Sequence, residues 1–177
     1  MKKFALAGVT LALAMAAGSA SAGTPAANTF GLNVAVGTAT TPMDFMVGGK
    51  YFFAKDMAVL AGVGLQFADS GAATNNKSTN IGMMGGFRKY LKTDDLAPFV
   101  GGQIQYVSTK PNGGDQTDFA IFAEGGAEYF LTKQFSFEGS VYVGYVSSEI
   151  KPAGAASSTK ATAFGTARGN LSVNFYF

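Results

Sequence analysis

Eight separate stretches of this chain alternate large apolar residues with small or polar ones, with a period of two. They run from Phe30 to Val36, Phe45 to Phe53, Val59 to Phe67, Ile81 to Arg88, Phe99 to Tyr106, Phe119 to Tyr129, Ser136 to Tyr145 and Thr162 to Phe177. A period of two is that of a β-strand with one apolar and one polar face. We therefore predict an all-β fold of eight strands.

The last stretch shows the alternation most plainly, and it ends on an aromatic residue. Its two faces are Leu171, Val173, Phe175 and Phe177 against Ser172, Asn174 and Tyr176. The apolar face is expected to meet something other than water.

The first 22 residues have the pattern of a secretory signal peptide. Lys2 and Lys3 precede an apolar run from Phe4 to Ala17, and Ala20-Ser21-Ala22 forms an A-x-A cleavage site. The run is shorter than the ~20 residues that a spanning helix needs, which disfavours a membrane anchor. We predict a signal peptide at 1–22 and one β-barrel domain at 23–177, which leaves 155 residues (177 minus 22).

Charge and composition exclude several classes of function. The chain has 13 Lys and Arg against 11 Asp and Glu, and two of the lysines lie in the leader, so the domain is neutral (13 minus 2 equals 11). No basic excess is left for nucleic acid. Without any Cys or His the chain has no thiolate or imidazole, so we expect no enzyme, no cofactor and no metal site. The segment Asn112–Asp118 lacks the distal Glu of a calcium loop.

The connections between the stretches alternate in length. Short turns at 54–56, 92–95 and 132–134 follow the second, fourth and sixth stretches, while longer loops follow the others, the longest from about Ser148 to Ala161. This asymmetry is typical of outer-membrane barrels with both termini on the periplasmic side. Eight short strands could instead form a soluble barrel or sandwich.

The composition of the two faces favours the membrane alternative. The polar face is poor in Lys, Glu and Thr, which is unusual for a surface in water. The apolar face carries aromatic residues at both rims: Phe30, Tyr51, Phe53, Tyr129, Phe137, Phe175 and Phe177 near the short turns, and Phe45, Phe67, Phe119 and Tyr145 near the loops. Bilayer interfaces select such belts, and Lys89 is expected to reach the headgroups.

If the apolar face meets lipid, six charged residues point into the barrel: Lys50, Arg88, Arg168, Glu124, Glu128 and Glu138. An eight-stranded barrel is about filled by its side chains, so these balanced charges should pair and plug the lumen. We expect Arg88 to contact Glu128 or Glu138 with Lys50 beside them, and Arg168 to lie near Glu124 or a polar neighbour one layer up. Catalysis or ion conduction is the alternative role for these carboxylates.

The leader, the eight stretches, the asymmetry of the connections and the terminal Phe177 together resemble the eight-stranded outer-membrane barrels of the OmpA and OmpX type, over residues 23–177. The resemblance implies an antiparallel up-and-down transmembrane β-barrel. It also implies that Leu171, Val173, Phe175 and Phe177 form the signal read by the barrel-assembly machinery. Because the chain ends at the barrel, we expect no periplasmic peptidoglycan-binding domain.

These features predict an integral protein of the outer membrane of a Gram-negative bacterium. We expect a monomer, surrounded by outer-membrane lipid, with a structural or surface-interaction role. The alternative is a narrow passive channel for ions or small solutes. An enzyme ranks third, because the related barrels that act on lipid A carry His in their sites and this chain has none.

Overall fold

The structure, a computed structural model, describes residues 23–35, 47–69, 77–111 and 114–177. Within these ranges the chain is all-β. The strands are β1 (Thr29–Ala35), β2 (Val47–Ala54), β3 (Met57–Asp69), β4 (Lys77–Tyr90), β5 (Leu96–Pro111), β6 (Gly114–Thr132), β7 (Phe135–Pro152) and β8 (Thr159–Tyr176). No helix in the described ranges is long and apolar enough to cross a bilayer.

Some sequence predictions fall on residues outside these ranges. They include the signal peptide at 1–22, the end of the first stretch at Val36, the start of the second stretch with the rim position Phe45, and the start of the segment Asn112–Asp118.

The eight strands form a closed antiparallel barrel. Each strand pairs with the next one along the chain, and β8 pairs with β1 to complete the ring. At one end of the barrel, the turns 55–56, 91–95 and 133–134 join β2 to β3, β4 to β5 and β6 to β7. This end is called the short-turn end below.

In two of the predicted loops, most of the described residues belong to strands. Antiparallel pairing continues through Thr109↔Gln116 in the predicted third loop, and through Glu149↔Lys160 in the predicted loop from Ser148 to Ala161, which leaves only residues 153–158 between β7 and β8. The prediction follows apolar alternation and therefore ends where the regular alternation ends. Backbone pairing continues the ladder beyond that point, and the Lys160–Glu149 ion pair (3.4 Å) spans its outer part.

Burial is reversed relative to that of a soluble protein. The outward face carries exposed large apolar side chains on every strand, among them Val63 (69% exposed) and Phe67 (77%). By contrast, the side chains of Lys50 and Glu128 point inward and are fully buried. The arrangement of a soluble barrel, with its apolar face inward, is therefore not found in the part of the chain that the structure describes.

Five aromatic side chains fill the interior at the short-turn end and are called the aromatic floor here: Phe52, Tyr90, Phe99, Phe130 and Tyr176. The rings of Phe52 and Tyr90 stack at a centroid distance of 5.3 Å, and Tyr176 meets Phe52 edge-on at 5.8 Å. A smaller apolar cluster of Val107, Ala120 and Phe122 lies elsewhere in the interior.

Gly31 gives Tyr176 the space it needs. A Cβ atom built at Gly31 would lie 2.5 Å from Tyr176 Cε1 and 2.6 Å from its Cδ1. The ring of Tyr176 therefore lies against the backbone of β1, and any side chain at position 31 would displace it.

We expect Gly31→Ala to destabilise the protein by about 1 to 3 kcal/mol, because the added methyl group overpacks a buried ring. Gly85→Ala is the matched control, since a Cβ at Gly85 meets nothing within 4 Å. Urea titration of the refolded protein measures both changes. Equal unfolding midpoints for the two variants would contradict the contact.

Candidate functional site in the barrel interior

Five of the six predicted interior charges meet inside the barrel, next to the aromatic floor. Lys50 comes from β2, Arg88 from β4, Glu124 and Glu128 from β6, and Glu138 from β7, and all five are buried. They share one side of the sheet because each occupies an inward position of a strand whose side chains alternate. We call these five residues the interior network.

Glu128 is the most heavily bonded carboxylate of the interior network. Five donors from four other strands reach its two oxygens. They are Lys50 Nζ (2.8 Å) and the Tyr90 hydroxyl (2.6 Å) on Oε2, and Asn174 Nδ2 (2.9 Å) with the Ser136 and Tyr176 hydroxyls on Oε1. Donors of this number compensate for the water that the ionised carboxylate loses on burial.

Glu138 shares two of its three donors with Glu128, and it accepts all three on one oxygen. Its Oε2 accepts from Lys50 Nζ at 2.9 Å, from Arg88 Nη1 at 2.6 Å and from Asn174 Nδ2 at 3.4 Å. Its Oε1 is buried and has no hydrogen-bond partner within the described residues. Lys50 thus bridges two carboxylates and holds β6 and β7 to β2.

Arg88 joins the remaining carboxylate to the network. Its guanidinium grips Glu124 with two nitrogens, Nε to Oε1 at 2.5 Å and Nη2 to Oε2 at 3.2 Å, and its Cζ lies 4.1 Å from the centroid of the Phe99 ring. Gly101 makes room for the pair, since a Cβ there would lie 2.8 Å from Glu124 Oε1 and 2.4 Å from the Phe87 carbonyl oxygen. The bidentate geometry fixes both side chains.

The pairing agrees with the sequence prediction for Arg88 and adds one contact to it. Arg88 contacts Glu138, one of the two partners expected for it, and Lys50 lies beside both Glu128 and Glu138 as expected. The added contact joins Arg88 to Glu124. Arg168 lies opposite Tyr142 in the strand register, and its side chain is outside the described part of the structure, so its expected place near Glu124 stays a prediction.

Residues of the predicted assembly signal lie on the outer wall of β8 and at its end. Leu171 and Phe177 are exposed, while Val173 and Phe175 are half-buried, and the Phe175 ring lies 5.2 Å from that of Phe135. The opposite face of the same strand supplies Asn174 and Tyr176 to Glu128. The terminal strand therefore contributes apolar side chains to the outer wall and hydrogen-bond donors to the interior network.

Sequence reasoning missed the uncharged partners of the network: Tyr90, Ser136, Asn174 and Tyr176. The signal that could have found them is their position, because each lies an even number of residues from a predicted interior charge or on the same face of its strand. A buried carboxylate needs several donors, and the two charged partners alone could not supply all of them.

The interior network is suited to mechanical closure of the barrel. Each of its carboxylates is held by donors from other strands, and the floor lies beside it. Within the described residues, no group of three or more acidic side chains could hold a metal ion.

No protein-family model matches the sequence, and no curated protein matches it.

We expect Glu128→Ala to cost about 3 kcal/mol of unfolding free energy, because it leaves Lys50 buried with one carboxylate fewer and several hydroxyls without their acceptor. Glu149→Ala, which removes an exposed carboxylate from β7, should change stability by less than about 1 kcal/mol. Urea titrations of the folded barrels measure the two variants. A loss within error for Glu128→Ala would mean that the carboxylate is hydrated.

Proposed function

We propose that the protein is an integral outer-membrane protein whose strands form an up-and-down transmembrane β-barrel, with a structural or surface-interaction role and a plugged lumen. The observation that carries this proposal is the reversed burial of the barrel. Large apolar side chains cover its outer wall, and five charged side chains are buried inside it. A wall of this kind is stable where hydrocarbon surrounds it.

The extent of the apolar wall supports a lipid environment. Exposed apolar side chains occur on β1 to β8, whereas soluble monomers rarely expose a continuous apolar patch larger than a few hundred Å². Each Å² kept from water contributes about 25 cal/mol, so the wall favours a bilayer strongly. Strands of about 9 to 11 residues cross a membrane, and β3 to β8 exceed this length.

The rims of the barrel support the same placement. At the short-turn end the side chains of Phe30, Tyr51, Phe53, Tyr129, Phe137 and Phe177 are exposed on the outside, and towards the other end so are those of Phe67, Phe119 and Tyr145. Two aromatic girdles suit the two interfaces of a bilayer.

Lys89 lies at the short-turn rim and donates a hydrogen bond to Asp56 in the turn between β2 and β3. This hydrogen bond and the positive charge of the ammonium lower the pKa of the Asp56 carboxyl. The pair is partly exposed, which suits a position among lipid headgroups. This position agrees with the expectation that the Lys89 side chain extends towards the headgroups.

Assembly of such a barrel would use the outward face of the last strand. We propose that Leu171, Val173, Phe175 and Phe177 are read by the barrel-assembly machinery after a leader has directed the chain out of the cytoplasm. The Phe177 amide donates to the Phe30 carbonyl at 2.9 Å, so the end of the signal is also part of the seam that closes the ring. A monomer suffices, because the pairing of β8 with β1 closes the ring without a second chain.

A surface role fits the strands on the side opposite the short turns. Beyond the aromatic residue Tyr145, β7 continues for seven residues to Pro152, which corresponds to about 20 Å of strand. This extension carries two serines as well as Glu149 and Lys151, and its partner β8 carries Lys160. A charged, paired extension of this length would project from the membrane surface.

The interior argues against the channel alternative. The aromatic floor and the interior network occupy neighbouring layers, and both are buried.

We expect the wild-type protein to give no discrete conductance steps in planar bilayers. The double variant Tyr90→Ala, Tyr176→Ala removes two rings of the floor and should give steps. Tyr106→Ala, on the outer wall, is the control and should stay closed. Steps from the wild type equal to those of the double variant would support a channel.

The membrane placement itself is tested by fractionation and by gel mobility. We expect the protein in the outer-membrane fraction, resistant to extraction with high salt, because hydrophobic contacts are not screened by ions. Unboiled samples should migrate differently from boiled ones, since a closed barrel stays folded in detergent. A protein recovered from the soluble periplasm, with the same mobility before and after boiling, would overturn the proposal.

A further inference from the structure

Residues Gly23–Asn28, called the N-terminal segment here, run across the short-turn end of the barrel. At one end of the segment, the Asn28 amide donates to the Phe52 carbonyl at 2.6 Å, and the Tyr51 hydroxyl donates to Asn28 Oδ1 at 2.9 Å. At the other end, the Thr24 amide donates to the Thr93 carbonyl at 3.2 Å. The segment thus links β2 to the turn between β4 and β5.

The first residue of the segment makes a contact of a different kind. Gly23 N lies 3.0 Å from Asp95 Oδ1, a carboxylate oxygen in the turn between β4 and β5. Thr24 and Pro25, which follow it, are buried although they precede the first strand. The segment is therefore packed on the barrel and is held at both of its ends.

Only glycine suits position 23. A Cβ at this position would lie 2.7 Å from the Thr93 carbonyl oxygen, so there is no room for a side chain. The same residue follows the Ala20-Ser21-Ala22 motif at which the leader is expected to end. Gly23 therefore combines three features. It has no room for a side chain, its nitrogen contacts Asp95, and it directly follows the cleavage motif.

We propose that a leader peptidase cleaves the chain between Ala22 and Gly23, and that the new α-ammonium of Gly23 forms an ion pair with Asp95, which fastens the N-terminal segment across the short-turn end of the barrel. The inference rests on the proposed function, since a leader implies export. In the hydrolysis, the oxygen of one water molecule joins the Ala22 carboxylate. Both protons of that water end on the Gly23 nitrogen.

Cleavage changes the donor at Asp95. Before it, Gly23 offers one neutral amide N–H; afterwards it offers an ammonium with three N–H bonds and a full positive charge. Asp95 offers a carboxylate oxygen in both states, so cleavage adds to this hydrogen bond the Coulomb attraction of a full positive charge. Because the contact is exposed, solvent screens it, and its effect is limited to local order in the segment.

The test compares two chains, one that begins at Gly23 and one that keeps Ala20, Ser21 and Ala22, each with and without Asp95→Asn. Both are released from a fusion tag, so that the first residue is defined. The readout is the exchange rate of the Thr24 amide in detergent micelles. In the chain that begins at Gly23, we expect Asp95→Asn to speed this exchange about two- to five-fold, in line with an exposed ion pair. In the longer chain the change should be smaller.

Asp94→Asn is the matched control, because it removes the same charge one residue away from the contact. It should leave the exchange rate unchanged in both chains. Mass spectrometry of the protein from cell membranes should also find Gly23 as the first residue. Another first residue, or an equal effect of Asp95→Asn in both chains, would overturn the inference. If either of these results were found for a protein whose gel mobility changes on boiling, the proposed function would stand and only this inference would fail. Recovery of the protein from the soluble periplasm would contradict the proposed function itself.

Discussion

The carboxylate of Glu128 is the group on which the interior of this barrel depends. It receives donors from β2, β4, β7 and β8, so a single side chain on β6 connects walls that face each other across the ring. Strand pairing alone links only neighbours. The contacts across the lumen fix the cross-section of the barrel, because a hydrogen bond tolerates only a few tenths of an ångström in length.

The reversed burial explains why the centre is polar. When large apolar residues occupy the outward positions of every strand, the inward positions hold the remaining residues. The interior network then satisfies its charges internally, because an unpaired ion would cost several kcal/mol there. Among the described side chains, two cations face three carboxylates (2 minus 3 gives −1). Arg168, whose side chain lies outside the described part of the structure, is the third cation that the sequence places in the interior, and it would balance the third carboxylate.

The direction of the interior side chains could be predicted from the sequence, whereas only some of their partners could. Direction follows from the period of two, which places Lys50, Arg88 and Glu128 on one face whatever the tilt of the strands. Partners depend on relative height, and height depends on the shear of the whole ring. For this reason the contact between Arg88 and Glu124 does not follow from the sequence. Apolar alternation does not mark the loop boundaries either, so the sequence predicts the ends of these strands wrongly.

The seam between β1 and β8 has a consequence for how the barrel folds. It joins Gly31–Ala35 to Ser172–Tyr176, and across it Asn33 bonds Asn174 at 2.6 Å, two residues that lie 141 positions apart in the chain. All other strand pairs are hairpin neighbours, whose loop-closure entropy is small. The seam therefore contributes the longest-range strand contacts to the contact order of the fold, and every one of them needs the two ends of the described chain to meet.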